Sequence, residues 1–503
     1  MSTPYYPVID LFAGPGGLGE GFSSVKRGKT SRFKSLAAIE RDEHAHKTLH
    51  LRHFVREFGD GQIPSEYYAY LAGDLTREEL QVAFPKQWQL AEASALRLSL
   101  GGENHDVVNK LLTKRLRGHG KWALVGGPPC QAYSLVGRSR RASDPDFEKD
   151  EKHFLYREYL KIITDHEPPV FVMENVKGLL SAKVDGKPVI DRILGDLSNP
   201  KAANSNSENG LSYRLFSLTE RGELSEGASP SSFIVRAEEY GVPQARHRMF
   251  ILGVRSDLSI EPEILQKQTS PSVEDVIGDL PAIRSGISKE PDSFKAWLET
   301  ISEVWKHDWF KAAFDDESAA RFAAGANPMP ASRFSAECTK PHVMSDWFTD
   351  GNLQCITGHD ARSHMRSDLQ RYLFSALYAQ KSGVSPKLND FPDELLPNHR
   401  NVEAGKAGKM FSDRFRVQVA GRVSTTVTSH ISKDGHYFIH YDPRQCRSLT
   451  VREAARLQTF PDNYHFEGPR TQQYHQVGNA VPPYLAHQIG EIVADILDRM
   501  EDR

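Results

Sequence analysis

The sequence predicts an α/β protein built on a mostly parallel sheet, followed by a second, smaller domain of different texture. Three observations lead there. Over residues 1–255 short apolar runs alternate with stretches of helical spacing, the pattern of strands joined by crossover helices. Each apolar run stops at glycine or polar residues, as strands do where a parallel sheet meets a ligand crevice. From 256 to 424 that alternation vanishes into mixed aromatic, basic, histidine, proline and glycine residues.

The elements follow in order. Val8-Ile9-Asp10-Leu11-Phe12 reads as the first strand and ends in Ala13-Gly14-Pro15-Gly16-Gly17. Leu36-Ala37-Ala38-Ile39 ends at Glu40, Trp122-Ala123-Leu124-Val125 at Gly126-Gly127-Pro128-Pro129, and Val170-Phe171-Val172-Met173 at Glu174-Asn175. Arg248 to Val254 supplies a further strand. The stretch 151–167 sets Phe154, Leu155, Tyr159, Ile162 and Ile163 at helical spacing between two strands. Residues 76–120 read as a helical, charged insertion, and 199–231, rich in Ser, Asn and Gly, as a surface loop. Near the end, Leu485, Ile489, Ile492, Val493, Ile496 and Met500 share one helix face after the breaker Pro482-Pro483.

Composition narrows the class. The 503 residues are 39% hydrophobic and 26% charged with a formal net charge of −3, which excludes wholesale disorder, collagen-like repetition and a coiled coil. No apolar run approaches the ~20 residues that cross a bilayer, so no membrane partner is expected. Met1-Ser2-Thr3-Pro4 carries neither a basic nor an apolar leader segment, which predicts a cytoplasmic protein made without a secretory signal. Cys130, Cys338, Cys355 and Cys446 are far apart and form no CxxC pair. Neither a disulfide framework nor a cysteine-rich zinc site follows. His359 and His364 have no thiolate partner nearby in sequence, so no metal is expected. A pI of 6.7 argues against coating nucleic acid through bulk charge. One local run is basic all the same. Lys110, Lys114, Arg115, Arg117, Lys121, Arg138, Arg140 and Arg141 occur with no acidic residue among them, a solvated face or a phosphate-binding one.

Four strand ends carry candidate chemistry. The glycine cluster after Phe12 suits close approach of a nucleotide-like ligand, or a tight turn; its spacing is not GxGxxG. Glu40 ends the next strand, where an acid grips ribose hydroxyls or is simply solvated. Cys130 follows a buried strand, two glycines and two prolines, a stiff loop that presents a thiol, with basic residues on both sides favouring thiolate. Elsewhere a lone cysteine is a small buried hydrophobe. A second strand ends in Glu174, so a nucleophile and a carboxylic acid reach one sheet edge.

Gly126-Gly127-Pro128-Pro129-Cys130-Gln131-Ala132-Tyr133-Ser134 resembles the catalytic loop of the DNA cytosine-5 methyltransferases of bacterial restriction–modification type. Glu174-Asn175-Val176 is similar to that family's second catalytic motif, and Gln244-Ala245-Arg246-His247-Arg248 to its Gln-x-Arg-x-Arg motif. The run from Arg452 to Asp462 is similar to the ninth motif and that from Gln476 to Pro483 to the tenth. All stand in family order, over residues 7–255 and 425–500.

The resemblance implies a Rossmann-like S-adenosylmethionine-dependent methyltransferase domain over 1–255, a smaller target-recognition domain over 256–424, and motifs returning to the catalytic domain over 425–503. It implies methyl transfer to C5 of a flipped cytosine in a specific duplex DNA sequence, through a covalent bond from Cys130 to C6. Glu174 would be the acid at N3, with Arg246 and Arg248 at the cytosine O2 edge or in a structural ion pair. Phe12, Gly14 and Gly17 would line the S-adenosylmethionine pocket, Glu40 would meet the ribose and Asp74 and Leu75 the adenine, and Pro128, Leu155, Asn479 and Val481 would close around the cofactor. Arg41 stands where the family often has an aromatic residue, which leaves adenine stacking from that position open. Arg138, Arg140 and Arg141 would clamp DNA phosphates; Ser134 would join them or cap a turn. Arg362, His364, Arg366, Arg414 and Arg416 lie in the recognition segment without being assigned to bases. A monomer is expected, bound to double-stranded DNA on the bacterial nucleoid and paired in function with a restriction endonuclease. An RNA cytosine-5 methyltransferase and an inactive DNA-binding scaffold are the alternatives.

Overall fold

The computed structural model describes residues 5–59, 62–129, 152–184, 187–205, 211–224, 228–314, 329–331, 339, 341, 343–397 and 413–501. The chain divides into two compact units. One comprises Met1–Pro64, Glu78–Thr269 and Ala480–Arg503, the other Ser65–Arg77 and Ser270–Asn479.

The first unit is the α/β one. Its main sheet has eight strands, numbered in chain order: β1 (Tyr6–Leu11), β2 (Phe33–Glu40), β3 (Ala95–Arg97), β4 (Ala123–Gly126), β5 (Val170–Val176), β6 (Tyr213–Phe216), β7 (Ile234–Arg236) and β8 (His247–Arg255). Their order is β6-β8-β5-β4-β1-β2-β3, with β7 also on β8. The five strands from β5 to β3 are parallel; β8 runs antiparallel to β5, and β6 and β7 antiparallel to β8.

Strand residues alternate between two buried layers, as the two-residue side-chain period requires. Val8, Val125, Val170, Val172, Phe250 and Leu252 enter one core, with Phe22 and with Leu485, Ile489, Val493 and Ile496 of the C-terminal helix. Ile9, Leu124, Phe171, Met173, Met249 and Ile251 enter the other, with Tyr159, Ile162 and Ile163 of the helix Lys152–His166. Both helix faces expected from the sequence are therefore core faces.

Two segments differ from expectation. The insertion at 76–120 is helical for most of its length but contributes the edge strand β3, only three residues long. The stretch 199–231 is not all loop: it supplies β6, antiparallel to β8 from Tyr213 opposite Arg255 to Phe216 opposite Leu252. Strands this short carry too little alternation to stand out from helical or loop-forming neighbours.

The second unit packs short helices around aromatic residues: Trp297, Tyr372, Phe374, Phe391 and Phe415 lie in one core, with the helix Arg366–Ser382 contributing several of them. Its contacts group residues otherwise than the motif-based segments do. Residues 65–77 join it because Tyr67 Oη donates to the Asn463 carbonyl at 2.8 Å and Tyr70 Oη and Arg77 both meet Glu467. Residues 451–457 join it because Arg456, almost wholly buried, bonds the Val276 carbonyl, Asp279 and Asp462. Among the described residues no helix is long and apolar enough to cross a membrane.

Helix α1 (Gly17–Ser24) packs closely on the C-terminal helix Pro483–Arg499. A Cβ on Gly21 would overlap the Cβ of Ala486 and lie 2.5 Å from the Pro483 carbonyl. Gly21→Ala should therefore destabilise the protein by about 1–3 kcal/mol, as overpacking does. Urea unfolding checks it, and an unchanged midpoint would contradict the packing described.

Candidate active site

β1 delivers the chain to a sharply turned glycine segment. Phe12, Gly14 and Gly16 all have positive φ, at 59°, 58° and 101°. Gly17 has no room for a side chain, because a Cβ there would overlap the carbonyl of Val481. Phe12, Gly14 and Gly17 thus form one tight turn, and Val481, distant in sequence, closes against it. At Gly14 the space a Cβ would take is open for at least 4 Å.

Glu40, at the end of β2, organises the far side of this turn. Its Oε2 accepts the Gly14 N–H at 2.9 Å and its Oε1 the Asp42 N–H at 2.7 Å. Burial pushes the Glu40 carboxyl up, while the backbone donors of Asp42, Gly14 and Arg41 pull it down. The two oxygens offer about four acceptor positions, so these three backbone donors leave one for a further donor.

Asp10 lies beneath the turn on β1, 1% exposed. Burial raises its carboxyl to about 8, against the opposing pull of Arg56 on helix α2 (Glu43–Arg56). Arg56 itself is held by Glu20, which it meets at 2.7 Å beside Arg52. Burial alone would raise Glu20, but the two guanidinium groups outweigh it and hold that carboxyl at about 2.

The second cluster sits where β4 and β5 end. Glu174 Oε1 meets Arg248 Nε at 3.2 Å, and Arg248 Nη1 also donates to the His247 carbonyl at 2.9 Å. Their nearness follows from the antiparallel register, in which Phe250 faces Glu174 and Arg248 faces Val176. Arg246 is 2% exposed; burial lowers both arginines, the Arg248 cation lowers Arg246 further, and Glu174 raises both. Burial also raises Glu174, while Arg248 and Arg246 lower it. A carboxyl raised this way retains its proton to a higher pH than an exposed one. Gly127 leaves space for it, since a Cβ there would stand 2.8 Å from Glu174 Oε2.

A family model, C-5 cytosine-specific DNA methylase, matches residues 108–199 and 225–494. The chain belongs to that family. This methylase is 32% identical, over 98% of its own chain and 99% of the relative, to the type II methyltransferase M.Bpa9945I of Bacillus paralicheniformis. It is 25% identical to the type II methyltransferase M.DdeI of Desulfomicrobium norvegicum, over 97% of this chain and 88% of that one. Among solved structures, a candidate DNA modification methyltransferase encoded within an E. coli prophage superposes with a TM-score of 0.50 at 18% identity, covering 98% and 99% of the two chains. The fold is thus that of methyltransferases, and the methylase is an enzyme of DNA cytosine-5 methylation.

The remaining candidates fall in different places. Cys130, Ser134, Arg138, Arg140 and Arg141 lie outside the described residues. Pro128 is buried at the end of β4, and Leu155 is half-buried on the helix Lys152–His166. Asp74 and Leu75 follow the helix Ser65–Ala72 in the second unit, and Asn479 ends the helix Arg470–Asn479 there. Part of the basic run is committed to structure: Arg115 donates to the carbonyls of Leu36 and Ala93, and Lys121 to that of Met500. Within 256–424, Arg362 is buried over the Tyr474 ring at 4.0 Å, and His364 is buried against Ser285. Arg366 pairs with Glu290 and Arg416 with Asp413, while Arg414 lies 3.8 Å from Asp434. His359 bonds the Pro281 carbonyl and Thr450. Sequence reasoning did not single out Asp10 or Asn175; Asp10 stands inside an apolar strand run and Asn175 beside Glu174 where one ends, and those placements were the available signal.

Asp10 generates a test. Its folded value of about 8 lies above the ordinary carboxyl value of 3.8, so the native state binds the extra proton. Stability attributable to this group must fall as pH rises from about 4 to about 8. Asp10→Asn, near-isosteric and uncharged, should lose stability to wild type least, or gain on it most, at the upper end of that range. Denaturant unfolding at several pH values measures the margin; a margin independent of pH would contradict the assignment.

Proposed function

We propose that this methylase transfers a methyl group from S-adenosylmethionine to C5 of a cytosine flipped out of a specific duplex DNA sequence. The observation that carries the mechanism is the half-buried Glu174–Arg248 pair at the end of β5, beside the Gly127-Pro128 segment that leads to Cys130. Cytosine C5 is a poor nucleophile. Addition of the Cys130 thiolate at C6 turns the C4–C5 bond into an enamine, and the ring gains electron density at N3. Glu174, raised by burial, supplies a proton at N3, while Arg248 and Arg246 orient the carboxyl and support the O2 edge. After methyl transfer, loss of the C5 proton and elimination of the thiol restore the aromatic ring and the enzyme.

The glycine turn fits the donor. Open space at Gly14, the closure of Val481 on Gly17 and the remaining acceptor position of Glu40 suit a nucleoside whose ribose hydroxyl needs an acceptor. When bound, S-adenosylmethionine supplies an electrophilic methyl group. Phe12, Pro128 and Leu155 would border it in the first unit; Asp74, Leu75 and Asn479 take their roles from motif position alone.

DNA binding by Ser134, Arg138, Arg140 and Arg141, sequence reading by 256–424, action as a monomer in the bacterial cytoplasm and pairing with a restriction endonuclease complete the proposal. Incubation with tritiated donor on duplex DNA, tRNA and buffer separates DNA methylation from the RNA activity and from an inactive scaffold. Label should enter duplex DNA alone.

The nucleophile has its own test. Duplex DNA containing 5-fluorocytosine should trap a covalent adduct with wild type, because fluorine cannot leave as a proton does. Cys130→Ser should form none and transfer no methyl group, with duplex affinity changed by less than about tenfold, or ~1.4 kcal/mol. An active enzyme that traps no adduct would remove Cys130 from the role.

The acid is tested separately. Glu174→Gln keeps the shape but has no carboxyl proton to give, so single-turnover transfer should slow by ~10²–10⁴-fold with donor affinity unchanged. A loss below tenfold would make Glu174 structural.

A further inference from the structure

The parallel ladder between β4 and β5 ends with Gly126 opposite Met173. Pro128 and Pro129 follow closely, and neither has an N–H with which to extend it. β5 runs on against β8, with Asn175 opposite Met249 and Val176 opposite Arg248. At this point a side chain takes over from the backbone. Asn175 Nδ2 donates to the Pro128 carbonyl at 2.9 Å, and Asn175 Oδ1 accepts the Val176 N–H at 2.8 Å. Asn175 is 3% exposed, so a missing partner here would leave a polar group without water. Consecutive residues at the end of β5 thus engage consecutive residues at the end of β4: Glu174 over Gly127, Asn175 on Pro128.

We propose that Asn175 is a positioning residue for the methyl-transfer reaction. Its amide engages the carbonyl of a proline that, lacking an N–H, can join β5 only as an acceptor, and so fixes the Pro128 carbonyl, two residues before Cys130. The Val176 N–H in turn fixes the amide's orientation: with Oδ1 committed as an acceptor, Nδ2 is left facing Pro128. The inference rests on the reading of Cys130 as nucleophile.

Asn175→Asp tests it with a signature that packing alone lacks. The variant keeps the size of the side chain and an acceptor for Val176. As a carboxylate it has no donor for the Pro128 carbonyl and repels it; as a carboxylic acid it regains an O–H donor. Adduct formation is measured on duplex DNA made with 5-fluorocytosine in place of cytosine, across a pH series, as a ratio to wild type. At alkaline pH the variant should be slower by about 10–100-fold, with wild-type affinity for S-adenosylmethionine. The ratio should climb toward wild type as pH falls and the carboxyl protonates. Asn175→Ala, which has nothing to titrate, should show a deficit independent of pH. A flat ratio for Asn175→Asp, or wild-type rates throughout, would overturn the proposal. If wild type traps no adduct, the nucleophile reading fails first and this inference with it. Should Asn175→Asp not fold, Asn175→Ser replaces it: slowed adduct formation at unchanged donor affinity supports the role, and an unslowed rate overturns it.

Discussion

Everything in the first unit hangs on the parallel pairing of β5, β4, β1 and β2. In that ladder Leu11 lies opposite both Gly126 and Ile39, and Gly126 lies opposite Met173. Four strand ends therefore finish at nearly one level of the sheet. A parallel sheet is stable only with both faces covered, which is why Val170 and Val172 feed one core while Phe171 and Met173 feed the other. The cores hold the strands; the strands hold the glycine turn, Glu40, Pro128 and Glu174 at one edge. The residues proposed for the chemistry lie at or just past the last ladder bonds.

That edge is polar and only partly open to water, and its electrostatics are set by competition. Burial drives Glu174 toward its neutral form, and Arg248 and Arg246 resist. Because the two guanidinium groups are themselves desolvated, they gain from the carboxylate nearby. Burial prevails, so the Glu174 carboxyl lies above its ordinary value. The same opposition recurs beneath the glycine turn. There Asp10, with weak compensation, is driven upward, while Glu20, with two arginines on it, is driven down. Two carboxyls under one turn differ in charge because only one of them has close hydrogen-bonded cations.

The second unit spends its charged residues on itself. Arg447 forms two bonds to Glu453, both almost completely buried, and Glu453 also caps Thr450 at the start of the helix Val451–Leu457. Arg456 joins Asp279 and Asp462, and Arg452 bonds the Thr357 and Tyr464 carbonyls. Removing one partner of such a pair strands a buried charge, so these residues define the local fold. Arg362 and His364 are core residues, and Arg366 and Arg416 are occupied by carboxylates.

The sequence by itself determined the alternation that makes the parallel sheet, the two helix faces that cover it, and the motif residues at the strand ends. These are local properties: a period of two or of 3.6, a glycine after an apolar run, a proline that ends a ladder. It did not reveal the strands β3 and β6, because three or four residues acquire strand character only from a neighbouring edge. Nor could it place Val481 against Gly17, pair Glu174 with Arg248, or hand the Pro128 carbonyl to Asn175. Those contacts join residues remote in the chain, and sheet register decides them. Tertiary structure also decided which charges are spent inside the protein, since burial, not residue type, determines whether an arginine can meet a phosphate.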